Sequence, residues 1–166
     1  MKKFDNSSKD KFLSQFPIAS IDSEKDLLTA RCKFNFSYFE VQPSGQNFSD
    51  LDQVRLAGLF EKLKEYSKES LDYWRNQRVG KSGTVFSIYG KFPSRSEFTL
   101  PRHIPHQAEW GRFRLDLSFR LCGFSIPKSH DAKVHIGTGR IFCSNTFYVV
   151  FLDENHCFYK SGNEAK

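Results

Sequence analysis

Hydrophobic and polar positions alternate along this chain with periods that change from segment to segment, and each period predicts an element. From Arg31 to Tyr38 the residues Cys32, Phe34, Phe36 and Tyr38 alternate with Arg31, Lys33, Asn35 and Ser37, the two-residue period of a strand with one buried face. Pro43-Ser44-Gly45 closes it as a turn, and Ser49 and Asp52 then show the S-x-x-D spacing of a helix N-terminus. Behind that cap Val54, Leu56, Leu59, Phe60, Leu63 and Tyr66 recur at three- and four-residue intervals, with Glu61, Lys62, Lys64 and Glu65 on the solvent side. We therefore expect a helix whose apolar stripe joins the core. One or two further helical turns follow through Leu71, Tyr73 and Trp74, ending at the loop Val79-Gly80-Lys81-Ser82-Gly83. Only Gly80 precedes Lys81-Ser82, so the glycine spacing of a phosphate-binding loop is missing.

The C-terminal half reads as strands. Thr84 to Tyr89 is a short one, and Phe92 to Pro105, with its three prolines, is an extended surface loop. Phe113, Leu115, Leu117, Phe119 and Leu121 alternate with Arg114, Asp116, Ser118 and Arg120, the strongest strand pattern in the chain. Alternatively, Asp116-Leu117-Ser118 is a tight turn and the segment a hairpin. Beyond Gly123 the apolar parity moves to Phe124 and Ile126, which a bulge near Cys122-Gly123 would explain. The run Phe147 to Leu152 is apolar on both faces and belongs in the middle of a sheet. Asp153 to His156 is a turn, and Cys157-Phe158-Tyr159 starts a last short strand. We expect one α+β domain over residues 1–166, an antiparallel twisted sheet of four to six strands packed against one or two helices. Residues 1–25 form a frayed N-terminal segment, 127–145 an insertion loop and 161–166 a disordered tail.

Composition adds a partner class. Eighteen phenylalanines in 166 residues make bulky rings the main core material. The formal charge is +6, which favours polyanions. Between Arg102 and Arg140 seven basic residues (Arg102, Arg112, Arg114, Arg120, Lys128, Lys133, Arg140) face three acids (Glu109, Asp116, Asp131), a net +4 of that +6. Arg112, Arg114 and Arg120 share one strand parity, so a sheet face would present guanidinium groups, which fork onto phosphate oxygens. The alternative is a solvated face paired with acids on neighbouring strands. No window approaches the roughly 18 apolar residues of a membrane span. With no apolar core behind the N-terminal basic residues, we expect a cytoplasmic protein whose Cys32, Cys122, Cys143 and Cys157 are reduced.

Histidines supply the candidate proton carriers. His103 and His106 lie in PRHIPHQAEW, ahead of the arginine strand; His156 follows the last apolar run, beside Cys157 and near Tyr159 and Lys160. RNA cleavage by its own 2′-hydroxyl needs a base, an acid and cationic stabilisation of the phosphorane, and these residue types supply them. His135, Cys143, His156 and Cys157 have no recognised metal spacing, so neither metal nor cofactor is expected. Aromatic residues such as Phe34, Tyr38, Tyr89 and Trp110 stack bases in some sheets, but the RNA-recognition consensus is absent, and core packing is their expected role.

The order of a charged helix (Leu56 to Tyr66), W-x-R-F-R-L (Trp110 to Leu115), F-R-L-C-G-F (Phe119 to Phe124) and T-F-Y-V-V-F-L-D (Thr146 to Asp153) resembles the RelE/ParE superfamily of bacterial toxins over roughly residues 51 to 160. The resemblance implies helices packed on an antiparallel sheet and, for the RelE branch, messenger-RNA cleavage. It places Arg112, Arg114 and Arg120 on the scissile phosphate, and His156, Tyr159 and Lys160 where a terminal residue assists proton transfer. This chain is longer than typical members, with an added strand before the helix and the 127–145 insertion. The expected function is a toxin-like, metal-independent endoribonuclease or RNA-directed toxin, with catalytic candidates Arg114, Arg120, His103, His106, His156 and Tyr159. Nucleic-acid contacts are expected from Arg102, Arg112, Arg114, Arg120, Lys128 and Lys160. The alternatives are a non-catalytic nucleic-acid-binding or inhibitory accessory protein of a phage or mobile element, and a domain that docks a protein antitoxin or the ribosome.

Overall fold

The computed structural model describes residues 7–16, 21–22, 27–81 and 83–160. Its elements are α1 (Ser7–Leu13), β1 (Lys33–Asn35), α2 (Gln53–Tyr66), α3 (Leu71–Asn76), β2 (Arg78–Val79), β3 (Gly83–Thr84), β4 (Phe86–Gly90), β5 (Glu109–Arg114), β6 (Arg120–Ser125) and β7 (Thr146–Asp153). A five-stranded sheet in the order β1-β7-β6-β5-β4 carries the fold, and β2 and β3 form a separate two-stranded ribbon. The α+β class is as expected. The sheet is mixed, however: β1 runs parallel to β7, and the other pairings are antiparallel. Within the 1–25 segment, expected to be frayed, Ser7–Leu13 forms the exposed helix α1; other parts of that segment and the 161–166 tail lie outside the described residues.

Asp52 caps α2 by accepting from the Arg55 N–H at 2.8 Å, and Ser70 caps α3 by accepting from the Tyr73 N–H at 3.1 Å; short oxygen-bearing side chains satisfy donors the first turn leaves open. The far end of α2 is closed by two side chains. Trp74 Nε1 donates to the Tyr66 carbonyl at 2.7 Å, and Cys32 Sγ donates to the same oxygen at 3.1 Å. Leu59, Leu63 and Tyr66 carry the buried stripe of α2, joined by Leu71 and Trp74 of α3. Val54 and Phe60, expected in that stripe, point to solvent.

On the sheet face beneath these helices lie Phe86, Phe113, Leu121, Phe147, Val149 and Leu152. The opposite face is covered as well. Phe98 and Ala108 from the 91–108 segment, and Phe158 from the chain after β7, pack on Trp110, Cys122, Phe124, Val150 and Phe151 as a second core. The 92–105 loop is thus a lid on the sheet with Phe98 and Pro101 buried, and Cys157-Phe158-Tyr159 is irregular chain crossing that face instead of a strand.

Two covered faces also explain the parity change beyond Gly123. Strand β6 alternates without interruption, and Phe124 is apolar because its side has a core of its own. The register shift opposite Cys122 and Gly123 falls on β7, where Val150 is the extra residue. Gly123 sits at this irregularity, and a Cβ there would lie 2.0 Å from the Tyr148 carbonyl oxygen. Phe113 to Leu121 is the hairpin alternative and not one long strand: β5 and β6 pair from Glu109↔Ser125 to Arg114↔Arg120 around a loop at 115–119. The 127–145 insertion holds a 3-10 turn at Lys128–His130 and a bridge between Val134 and Ile141, with residues 131–141 exposed. No helix among the described residues is long and apolar enough to cross a membrane.

Candidate functional site

At the hairpin end of the second face the alternation of β5 and β6 brings Arg112, Arg114 and Arg120 to one side. Arg114 stands directly opposite Arg120, and Arg112 opposite Cys122 one step along. Directly opposed like charges on a sheet destabilise it unless something takes up their charge. On the other flank Arg120 is paired with Asp153 of β7, yet that carboxylate is already occupied. Oδ1 accepts from the N–H groups of Asn155 at 3.1 Å and Cys157 at 2.9 Å, and Oδ2 from that of Phe158 at 2.9 Å. None of the three arginines forms an ion pair among the described residues.

Arg120 is only 2% exposed, so the expectation of a solvent-facing guanidinium is corrected at this residue. It folds back over the hairpin loop, where Nη1 donates to the carbonyls of Asp116 at 2.6 Å and Phe119 at 2.9 Å and Nη2 donates to that of Leu117 at 2.8 Å. Arg112 Nε donates to the Tyr89 hydroxyl, and the Arg114 side chain runs beside Gly83, whose added Cβ would meet Nη2 at 3.0 Å. Each arginine retains one enclosed nitrogen without a protein acceptor: Arg112 Nη1, Arg114 Nε and Arg120 Nε. Buried donors left unpaired are costly and rare. Burial, then the charges of Arg112 and Arg114, pulls Arg120 down to about 10, still cationic at neutral pH. The cluster therefore concentrates positive charge at the hairpin end of the sheet, and the half-buried Arg112 and Arg114 connect it to solvent.

Residues 154–160 form a strap across this face. Asp153 organises it through its three accepted N–H groups, and they hold His156 in a left-handed conformation, φ 58°, which a non-glycine residue adopts only under local constraint. His156 is itself exposed; the part of it that is buried lowers its pKa below the ordinary 6.5, and the charges of Arg120, Arg112 and Arg114 push the same way against Asp153. Beyond His156, Phe158 plugs the second core and Tyr159 stacks on Tyr89 at 4.3 Å with the rings 1° from parallel.

Of the residues singled out in the sequence, the fold brings Arg112, Arg114, Arg120, His156 and Tyr159 around one strap. His103 lies elsewhere, stacked on Tyr38 at 5.7 Å, and Tyr38 packs edge-on against Phe124. Phe124 is four residues along β6 from Arg120, about 13 Å at strand rise. His106 and Arg102 are exposed in the same 101–108 segment. Lys128 pairs with Asp72 of α3, and Lys160 with Glu97. Asp153 was missed as an organiser, although it is the one charge within the run TFYVVFLD. Tyr89, read as a core ring, is the hydroxyl that orients Arg112. Among the described residues no group of three His, Cys, Asp or Glu side chains is arranged to hold a metal ion.

No family model, no curated protein and no solved structure matches the chain.

Proposed function

We propose that the protein is an RNA-directed, toxin-like endoribonuclease of the cytoplasm that binds a phosphodiester at Arg112 and Arg114, backed by the positive charge of Arg120, and uses His156 as its proton carrier. The observation that carries this reading is geometric: Arg114, Arg120 and Asp153 lie side by side across β5, β6 and β7, no arginine of the cluster has an ion-pair partner among the described residues, and Asp153 holds the turn that carries His156. Non-bridging phosphate oxygens would be taken by the solvent-side donors of the half-buried Arg112 and Arg114, and charge-assisted bonds of this kind strengthen as charge builds on the phosphorane. His156, neutral at pH 7, accepts the proton of the 2′-hydroxyl. That oxygen attacks phosphorus, the bond to the 5′-oxygen breaks, and the leaving oxygen takes a proton from water. A 2′,3′-cyclic phosphate and a 5′-hydroxyl result. Arg120 acts behind the others as a positioning residue, since its Nη1 and Nη2 donate to the hairpin loop.

One observation favours the second reading, a non-catalytic nucleic-acid-binding or inhibitory protein. Only His156 approaches the arginines; His103 and His106 lie at the other end of the face, so a paired acid and base is not assembled. Inducible expression in a tolerant host, followed by growth and RNA integrity, separates the two. We expect native chain to arrest growth and fragment RNA, and Arg114→Ala and His156→Ala each to abolish both effects. Arrest that persists in His156→Ala without RNA fragments would select the non-catalytic reading. Intact RNA and normal growth with native chain would overturn the toxin reading.

A further inference from the structure

We propose that Tyr159 is a nucleobase-stacking platform, so that the site takes a single-stranded ribonucleotide segment with one base unstacked next to the phosphate held by the arginines. The inference rests on the RNA reading above and adds the substrate form and a subsite. Tyr159 is 47% exposed although its ring lies flat on Tyr89. That stack is fixed from below: the Tyr89 hydroxyl accepts from Arg112 Nε, and its ring packs against Phe158. A phenol held parallel and backed by another aromatic ring offers its outer side to a planar partner at little entropic cost.

Beside that ring is a cavity of about 220 Å³ lined by Pro93, Ser94, Arg95, Tyr159 and Lys160. Its walls are tied together by the Glu97 N–H, which donates to the Cys157 carbonyl at 2.9 Å, and by the Lys160–Glu97 ion pair. Glu97 is the acid at this edge, and Lys160 answers it; Arg95 is exposed and suits a flanking phosphate. The chain of contacts thus runs from the arginine pocket through Arg112 and Tyr89 to Tyr159 and on to a second cation. Alternating cations and aromatic faces are how single strands are tracked without reading sequence. A duplex keeps its bases stacked on one another and offers none to Tyr159.

The test is fluorescence-anisotropy binding of a labelled single-stranded hexaribonucleotide, 2′-O-methylated to block cleavage, against the same oligomer with abasic sugars. We expect native protein to bind the intact oligomer on the order of 10-fold more tightly than the abasic one, as one base–aromatic stack provides. Tyr159→Leu should remove that difference by weakening only the intact oligomer, and Tyr159→Phe should preserve it. Equal binding of the two oligomers by native protein, with both weakened in Arg114→Ala, would overturn the stacking subsite while leaving the phosphate pocket standing. A loss in Tyr159→Leu that is equal for both oligomers would show a merely structural role and likewise overturn it. Binding of neither oligomer at low salt would bring down the RNA reading and the subsite together.

Discussion

Arg120 is the residue at which charge and burial conflict most directly. Its guanidinium is enclosed, it faces Arg114 across the hairpin, and the acid opposite it on β7, Asp153, spends both oxygens on backbone N–H groups. What offsets the burial is three carbonyls of its own loop. Replacing it with Ala would leave the Asp116 and Leu117 carbonyls without this donor, whereas Phe119 keeps the N–H groups of Leu115 and Asp116, and we expect a stability loss of about 2–4 kcal/mol by denaturant unfolding. Arg120→Lys should recover only part of that loss, because an ammonium cannot reach all three oxygens in one plane.

His156 gives a pH dependence of definite sign. Its folded pKa is depressed by burial and then by the arginines, so the unfolded chain binds the proton more readily. Its contribution to stability is present above its ordinary 6.5 and is lost as pH falls below it. Melting temperature should therefore decline more steeply between pH 7 and pH 5 in the native chain than in His156→Asn, which also tolerates the left-handed backbone. A phosphate in the pocket would reverse the neighbouring field, so anion binding should take up protons. Cys143 is the other residue with a directional expectation. Burial alone would raise its thiol, but hydrogen bonds from Thr146, the Asn145 backbone and Lys33 bring it below the ordinary value, whereas Cys32 is pushed up to about 12 and Cys157 to about 11 by burial. Iodoacetamide labelling followed by mass spectrometry should find Cys143 modified first.

At the scale of elements, the strap over residues 154–160 positions everything that makes the arginine corner more than a charged patch. Asp153 accepts its N–H groups, Arg55 of α2 pairs with Glu154, and Phe158 fills the second core. Phe158→Ala should cost about 3–5 kcal/mol and should free the turn carrying His156 and loosen the stack of Tyr159 on Tyr89. The strap also marks what was legible in the sequence. The parity of Arg112, Arg114 and Arg120 was readable because a period of two assigns residues to faces without knowing the partner strand. That their face is covered was not readable: Phe98 and Phe158 come from aperiodic chain, and nothing in their spacing says which side of the sheet they close. Helix α2 was legible from Leu59, Leu63 and Tyr66, whereas Val54 in its first turn and Phe60 beside Leu59 are exposed because the buried stripe is narrower than the apolar pattern. The direction of β1 was likewise hidden, since alternation carries no polarity. His103 and His106 looked near the arginines because they precede β5, but they precede its Trp110 end, and the strand carries the chain away from them to Arg114.

For the whole molecule, the outcome is a sheet with aromatic cores on both sides and a positive corner where the second core stops short. On the proposed reading the +6 charge of the chain would draw a polyanion in, and the corner would decide where a phosphate is held. The most direct measurement is the affinity of a single-stranded RNA oligomer across a salt series for native protein and for Arg112→Gln and Arg114→Gln, with unfolding curves confirming that each variant is folded. We predict affinity that falls steeply with salt, and a log–log slope shallower by about 0.7 for each phosphate contact removed by a variant. Native affinity and slope that are unchanged in both variants would contradict a phosphate site at Arg112, Arg114 and Arg120.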